Sequence, residues 1–286
     1  MGFMFEGMEP TRTQTLEFSP AAGGGGESVV EIELNAIDND PGAVQSGHYL
    51  WPGASSMVQF LVDIMYSSEI NSSANVDSIS KSREILSSLS VGSILELGAG
   101  CGLVGLASLQ LWGSNNTGSP GSSLKQVVFT DHDPGTLKRA SDNYEATQKK
   151  RQRKNRTDGA VLQNNDELKV AFESLSWGDE ADAVRLKSQL VEDGGFDLIL
   201  GSDLIYCCEV VRPLLQTASS LLNKESAFFL SQSFAYDPET EDEMDQACHD
   251  LGLKRTILLD SSDKGNQHYQ KQISGFLKIQ VFEWSQ

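Results

Sequence analysis

The stretch Ser93–Leu103 decides the fold, and it reads S-I-L-E-L-G-A-G-C-G-L. A short apolar run leads into a turn with three glycines, and the apolar segment Leu103–Leu111, predicted to be helical, follows. Glycines let a ligand approach the backbone closely, and the first turn of a helix offers free N–H groups. The sequence therefore predicts a strand, a ligand-binding turn and a helix. A nicotinamide-binding turn is disfavoured, because its pattern needs a glycine where this chain has Leu103.

Downstream of this turn, segments typical of strands and of helices alternate. Apolar strands are predicted at Val127–Phe129, Val170–Glu173, Phe196–Leu200 and Ala227–Leu230, with Leu253–Leu259 and Gly275–Phe282 as closing strands. Such alternation is typical of right-handed crossovers and of a parallel sheet that is covered by helices on both faces. The fold class is therefore α/β.

The rest of the chain is assigned by composition and periodicity. Residues 1–28 are interpreted as a flexible N-terminal arm, because Gly23–Gly26 offers no side chain that could pack. Residues 29–286 are expected to form a single domain with inserted loops near 113–123 and 149–166. Apolar residues recur at helical spacing in Ala54–Tyr66, which predicts an amphipathic helix.

The second predicted strand ends in Thr130, Asp131, His132 and Asp133. Open α/β sheets bind ligands beyond the carboxyl ends of their strands, so Asp131 is predicted to accept the two ribose hydroxyls of a nucleoside. A role within the turn is the alternative for Asp131. Asp133 precedes Pro134 and is better explained as the N-cap of a helix that is predicted to run to about Gln148.

The run Phe196–Tyr206 reads F-D-L-I-L-G-S-D-L-I-Y and passes from an apolar strand into polar residues at the same edge. The spacing between Asp203 and Tyr206 allows a carboxylate and a phenol to face one cleft. The alternative is that Asp203 caps the next helix while Tyr206 only packs.

These features, in this order, resemble the seven-strand S-adenosylmethionine-dependent methyltransferases. The acidic-x-Gly-x-Gly-x-Gly pattern that starts at Glu96 resembles their first motif. Asp203-x-x-Tyr206 is similar to the motif after the fourth strand in methyltransferase family 16, a family of protein-lysine methyltransferases. The Asn/Asp-Pro-Pro-aromatic motif usual in related DNA and RNA amino-methyltransferases is absent there. The resemblance implies a Rossmann-like, seven-stranded and mostly parallel sheet, with an antiparallel last strand, helices on both faces and an N-terminal extension.

Two tryptophan segments agree with this family, Leu50–Ala54 and Leu175–Asp179. The resemblance implies that the tryptophan of the first segment lines the cofactor pocket and that of the second lies against the adenine, although either alone would more simply be a core residue. The implied contacts to S-adenosylmethionine come from Trp51, Glu96, Gly98, Gly100, Gly102, Asp131, Trp177 and Ser202. Asp203 and Tyr206 are the implied catalytic residues, in a direct transfer of methyl to a lysine ε-amine that needs no metal.

Charge limits the partners. The chain has 40 acidic and 22 basic residues and a formal net charge of −18, so nucleic acid is not the expected partner and a protein that presents a lysine is. The basic run Lys149–Arg156 is interpreted as a solvated loop rather than a nuclear-import or RNA-binding signal. The acidic run Asp237–Asp245 is left open between a favourable helix N-terminus and an acidic rim that steers a basic substrate.

The sequence has no apolar run of about 20 residues, which a membrane-spanning helix needs, and its N-terminus lacks the pattern of a signal peptide. Its four cysteines show no metal-ligand spacing. We therefore expect a monomer with reduced thiols in the cytoplasm, with the nucleus as a second compartment, and no membrane partner. Two other functions stay open: a small-molecule or nucleic-acid methyltransferase on the same fold, and a non-catalytic interaction module.

Overall fold

The structure of the chain is a computed structural model, and it describes residues 10–20, 28–38, 43–67, 76–113, 124–157, 168–191, 194–262 and 275–285. The strands are β1 (Thr11–Phe18), β2 (Val30–Ile37), β3 (Ser93–Leu97), β4 (Gln126–Asp131), β5 (Lys169–Ser174), β6 (Phe196–Ser202), β7 (Leu222–Gln232), β8 (Leu253–Asp260) and β9 (Lys278–Trp284). The α-helices are α1 (Pro52–Tyr66), α2 (Val76–Ser88), α3 (Leu103–Leu111), α4 (Pro134–Thr157), α5 (Glu180–Leu190), α6 (Val211–Leu221) and α7 (Pro238–Leu251). Short 3-10 helices lie at Ala43–His48 and Cys208–Val210.

The central sheet has seven strands in the order β5-β4-β3-β6-β7-β9-β8. The first five are parallel to one another, and β9 runs antiparallel between β7 and β8. The predicted α/β fold is confirmed, with a mostly parallel sheet whose last strand is antiparallel. The carboxyl ends of β3, β4 and β6, where the candidate residues lie, therefore meet at one edge.

Both faces of the sheet are covered, because neighbouring strand residues point to opposite sides. Phe229 packs into a cluster with α1, α2 and α3, whereas Phe228 packs into a second cluster with α5, α6 and α7. Helix α4 reaches the first cluster through Tyr144. The interpretation of helices on both faces is confirmed.

The interpretation of residues 1–28 as a flexible arm is wrong for Thr11–Phe18. These residues form β1, which pairs antiparallel with β2 over eight residues. The physical reason is burial, since Phe18 is only 7% exposed and Leu16 packs against the same core. The glycine run of the predicted arm lies outside the described residues.

The outer edge of β2 is covered by helix side chains instead of a third strand. Gln110 of α3 bonds both the N–H and the carbonyl of Glu31, and Asn143 of α4 bonds both backbone groups of Asn35. Asn143 also donates to the carbonyl of Cys101 in the glycine turn. The hairpin β1–β2 is therefore fixed to the turn that is predicted to bind the cofactor.

The basic run is not a loop. Helix α4 continues to Thr157, beyond its predicted end near residue 148, because Lys150 and Lys154 both pair with Glu31 of β2, at 2.8 Å and 3.1 Å. Cations near a helix C-terminus are also favoured by the helix dipole. The remainder of the expected insertion near 149–166 and nearly all of the one near 113–123 lie outside the described residues.

Among the helices of the described ranges, none combines the length and the apolar character that crossing a membrane requires.

Candidate functional site

The glycine turn between β3 and α3 requires its glycines. Gly98 and Gly100 have φ values of 56° and 54°, in the left-handed region where a residue with a Cβ is strained. A Cβ on Gly98 would also lie 2.6 Å from Leu204 and 3.1 Å from the indole of Trp177. Gly102, with φ 83°, begins α3 as its N-cap residue. The missing Cβ of Gly98 lets Leu204 and Trp177 approach the backbone of the turn closely.

Glu96 lies beneath this turn rather than on its surface. Glu96 is only 2% exposed, and its carboxylate accepts a hydrogen bond of 2.9 Å from the N–H of Gly105 in the first turn of α3. Burial raises the pKa of Glu96 to about 8. The structure therefore shows Glu96 supporting the helix that follows the turn, while its implied contact with the cofactor stays a prediction.

Asp131 ties the ends of β3 and β4 together. Its carboxylate accepts from the N–H of Gly100 at 3.2 Å and from the N–H of Asp133 at 3.1 Å, and the residue is 7% exposed. Asp131 therefore does stabilise the turn, which was the alternative to its predicted role in ribose binding. A carboxylate with two donors still has acceptor capacity for ribose hydroxyls. Asp133 accepts from Gly135 and Thr136 at the start of α4, which confirms it as the helix cap.

The segment before α1 crosses the glycine turn. Its Trp51 donates from Nε1 to the carbonyl of Ser46 at 2.9 Å and meets the ring of Tyr49 edge-on, with centroids 5.3 Å apart. The thiol of Cys101 donates to the carbonyl of His48 at 3.2 Å. Trp51 is therefore held within a segment that contacts the glycine turn through His48.

Trp177 follows β5, and its indole packs over Gly98. The next residue, Gly178, donates to the hydroxyl of Thr217 in α6, and Asp179 caps α5. Residues that are about 80 positions apart in the sequence thus meet at the turn. Trp177 therefore lies against the glycine turn, and its contact with the adenine stays a prediction.

Asp203 occupies the most constrained position of the site. It has a φ of 53°, and no other residue besides glycine has a positive φ in the described ranges. Its carboxylate accepts from the N–H of Ser233 at 2.6 Å, the hydroxyl of Ser233 at 3.0 Å and the N–H of Gly53 at 2.7 Å. Burial raises the pKa of Asp203, while these hydrogen bonds oppose the rise. Asp203 thus joins the ends of β6 and β7 to the first turn of α1.

Gly53, Ser231 and Ser233 belong to this junction and were missed in the sequence. Ser231 donates to the carbonyl of Gly53 at 2.8 Å, so both backbone groups of Gly53 are held. A Cβ on Gly53 would lie 2.5 Å from the Asp203 carboxylate. The glycine that follows Trp51-Pro52 was the available signal, since it marks a close approach of another group.

The other two predicted residues lie at the open side of the site. Ser202 ends β6 and is half-buried, and Tyr206 is 69% exposed. Tyr206 thus lies between the carboxyl end of β6 and the 3-10 helix that leads into α6.

Most of the acidic run serves the fold. Asp237 caps α7 by accepting from Thr240, which supports the helix-terminus interpretation. Glu241 and Asp245 pair with Arg255 at 2.6 Å and 2.9 Å, and Glu243 pairs with Arg212 at 2.7 Å. Of the described acidic residues of this run, Glu239 and Asp242 are exposed and form no ion pair with a described residue.

The comparisons with known proteins come from sequence and from structure. A family model described as "Lysine methyltransferase" matches residues 31–242. Protein N-lysine methyltransferase METTL21A of Danio rerio is 30% identical over 144 residues, which are 50% of each chain. The Mus musculus protein of the same name is 28% identical over 148 residues, or 52% of each chain. The chain thus spans about half the length of the curated relatives it matches.

A solved structure of magnesium protoporphyrin IX methyltransferase from Synechocystis PCC 6803, with bound SAM, is 15% identical. The match covers 81% of this chain and 93% of that one with a TM-score of 0.40.

Proposed function

Since the chain belongs to the lysine methyltransferase family, we propose that it transfers a methyl group from S-adenosylmethionine to a lysine ε-amine of a protein. One observation carries this proposal beyond the family match. The glycine turn, the two tryptophan segments and Asp203 lie at one edge of the sheet, where Trp177 packs over Gly98 and the N–H of Gly53 donates to Asp203.

The residues present fit a nucleoside with a charged sulfur. Gly98 has no Cβ that would push Leu204 and Trp177 away from the turn, Trp177 offers an aromatic face for a purine, and Asp131 retains acceptor capacity. Trp51, Gly98, Gly100, Asp131 and Trp177 would hold the cofactor. When bound, S-adenosylmethionine supplies a methyl group on a positively charged sulfur, which a free amine takes directly, with S-adenosylhomocysteine as the product.

The chain must present the lysine amine without its proton. Bringing a lysine of pKa ~10.4 to the neutral form at pH 7 costs about 4.6 kcal/mol, and burial of the ammonium supplies part of this. Asp203 accepts three hydrogen bonds, and a carboxylate has about four acceptor sites. One site is therefore left for the incoming ammonium, and Tyr206 would line the entrance and orient the nitrogen.

The experiment is transfer of labelled methyl from S-adenosylmethionine into cell lysate by the purified chain, with protease-treated and nuclease-treated lysates beside it. We expect protease-sensitive label that is recovered as methyllysine. Label lost only with nuclease, or found only in small molecules, would favour the other methyltransferase classes. Absence of heat on titration with the cofactor in a calorimeter would favour a non-catalytic module.

An Asp203→Ala variant belongs in the same assay. We expect at least about a tenfold fall in transfer, since the variant loses an acceptor for the ammonium. Cofactor affinity must be measured separately, because Gly53 loses its partner as well. Undiminished transfer in this variant would remove Asp203 from the mechanism.

The cytoplasmic and nuclear locations and the monomeric state expected from the sequence stay predictions.

A further inference from the structure

The side chain of Tyr206 has few constraints of its own. Its side chain is 69% exposed, and its hydroxyl makes no hydrogen bond to any residue that the structure describes. A phenol that orients a substrate nitrogen must nevertheless sit in a defined place. The contacts of the peptide group just before Tyr206 therefore decide how well the site is ordered.

That peptide group is the end point of a chain of four hydrogen bonds. Gln232 donates from its side-chain amide to the carbonyl of Ile205 at 3.1 Å, and Tyr236 donates to the Gln232 side-chain oxygen at 3.2 Å. Gln280 donates to the Tyr236 hydroxyl at 3.0 Å, and Arg255 donates to the Gln280 side-chain oxygen at 2.7 Å.

Every donor in this chain points the same way, from the guanidinium of Arg255 towards the carbonyl of Ile205. Aligned hydrogen bonds polarise one another, and more so away from water. Gln232 and Gln280 are fully buried, and the side chain of Arg255 is 8% exposed. This chain of hydrogen bonds is therefore a rigid and cooperative connection across β7, β9 and β8.

The charged end of the chain is anchored by the acidic run. Arg255 pairs with Glu241 and Asp245 of α7, and Lys278 pairs with Glu241 while lying 5.4 Å above the ring of Tyr236. These contacts hold Tyr236 and Gln280 at the end of the hydrogen-bond chain that is remote from Ile205. The sheet edge thus supports the loop that carries Tyr206.

We propose that Gln232 and Tyr236 are positioning residues for the methyl acceptor, acting through the Ile205 carbonyl on the phenol of Tyr206. The inference rests on the proposed lysine methyltransferase function. It differs from a role in cofactor binding, because none of the four hydrogen bonds touches the glycine turn, Trp51 or Trp177.

The test is Tyr236→Phe, which removes one hydroxyl and keeps the ring under Lys278. Tyr144→Phe is the matched control, because the Tyr144 hydroxyl makes no hydrogen bond within the described part of the chain and lies on α4. For Tyr236→Phe we expect kcat/KM for the protein acceptor to fall about tenfold and cofactor Kd to stay within about twofold. The ratio of mono-, di- and trimethyllysine should shift, since it depends on where the amine is held.

Gln232→Met supplies a second break in the same chain with a similar side-chain length. The effects of substitutions within one hydrogen-bond network are not additive. The double variant Gln232→Met/Tyr236→Phe should therefore lose little more transfer than the more severe single variant. Additive losses, a fall in transfer matched by the same fall in cofactor affinity, or activity within about twofold of wild type would each overturn the proposal.

A readout without turnover separates this proposal from the proposed function. Amide hydrogen exchange of Asp203–Cys208 should speed up in Tyr236→Phe and in Gln232→Met, while exchange of Gly98–Leu103 stays unchanged. If the wild-type chain methylates no protein lysine, the proposed function fails, and this exchange pattern still decides whether the chain of hydrogen bonds orders the loop. Unchanged exchange at Asp203–Cys208 would overturn it.

Discussion

Gly98 combines two demands, a left-handed backbone and space for a ligand, and the two can be separated by experiment. Gly252 has a φ of 70° at the end of α7, but a Cβ there meets nothing within 4 Å, whereas a Cβ on Gly98 meets Leu204 and Trp177. Gly98→Ala and Gly252→Ala should both lower the free energy of unfolding by about 1 kcal/mol from backbone strain. Gly98→Ala should lower it further, because its Cβ would clash with Leu204.

Only Gly98→Ala should weaken binding of S-adenosylmethionine, by at least about tenfold, because its Cβ occupies the space beside Trp177. Calorimetric titration and chemical denaturation of the two variants measure both effects. Equal cofactor affinity in the two variants would mean that the cofactor does not bind over this turn.

Glu96 should give the protein a pH dependence of its own. Its pKa is raised to about 8 in the folded chain, because the carboxyl is buried, against an ordinary value of 4.5. Between these pH values the folded state keeps a proton that the unfolded state has lost, so its contribution to stability falls as the pH rises. The slope is at most about 1.4 kcal/mol for each pH unit.

Glu96→Gln imitates the protonated acid and should remove this slope. The measurement is the free energy of unfolding of both proteins at pH 5, 6, 7 and 8, and their difference is expected to grow in favour of the variant as the pH rises. Parallel curves would show that Glu96 is ionised in the folded protein throughout this range.

At the scale of elements, the hairpin β1–β2 supports the glycine turn through Asn143 of α4, which bonds both β2 and Cys101. Strand β1 contributes Phe18, which is 7% exposed, to the core, and β2 is bonded to α3 and α4 through Gln110 and Asn143. Phe18→Ala should lower the free energy of unfolding by about 3 kcal/mol. Thr11→Ala, at the exposed end of the same strand, is the matched control and should change it little.

Denaturant titration of both hairpin variants measures this difference. If Phe18→Ala unfolds at the same denaturant concentration as Thr11→Ala, the hairpin does not belong to the cooperative fold.

Sequence patterns predicted the elements that are locally encoded. Apolar runs identified β4, β6 and β7, and the glycine turn identified the passage from β3 to α3, because these segments are buried and their patterns are short-range. Strand β1 was missed because its eight residues include only two apolar ones, Leu16 and Phe18, and its partner strand supplies the hydrogen bonds. Helix α4 was ended too early because Glu31, which pairs with its last turns, is remote in the sequence.

The candidate site divides in the same way. Strand-end residues such as Asp131 and Asp203 followed from the rule that parallel strands carry ligands at their carboxyl ends. The partners of Asp203 could not be predicted, since Ser233 is 30 residues away and Gly53 is 150 residues away. Such contacts depend on the packing of three elements and not on a local pattern.

At the scale of the whole molecule, the net charge is −18, and the acidic residues of α7 near the site differ in whether they form ion pairs. Glu241, Glu243 and Asp245 are bound to Arg255, Lys278 and Arg212, so neutralising them would disturb the fold as well as any substrate. Glu239 and Asp242 remain exposed on the first turns of α7. If the protein acceptor is basic, these two acids can attract it, and neutralising them breaks no ion pair with a described residue.

The double variant Glu239→Gln/Asp242→Asn should therefore raise KM for a protein acceptor several-fold, keep kcat, and flatten the dependence of KM on salt, because long-range attraction between charges is screened by ions. Glu84→Gln/Glu225→Gln is the matched control: it changes the net charge equally at exposed positions on α2 and at the start of β7. An equal rise of KM in both double variants would assign the effect to net charge, and no rise in either would mean that the acceptor is recognised without electrostatic steering.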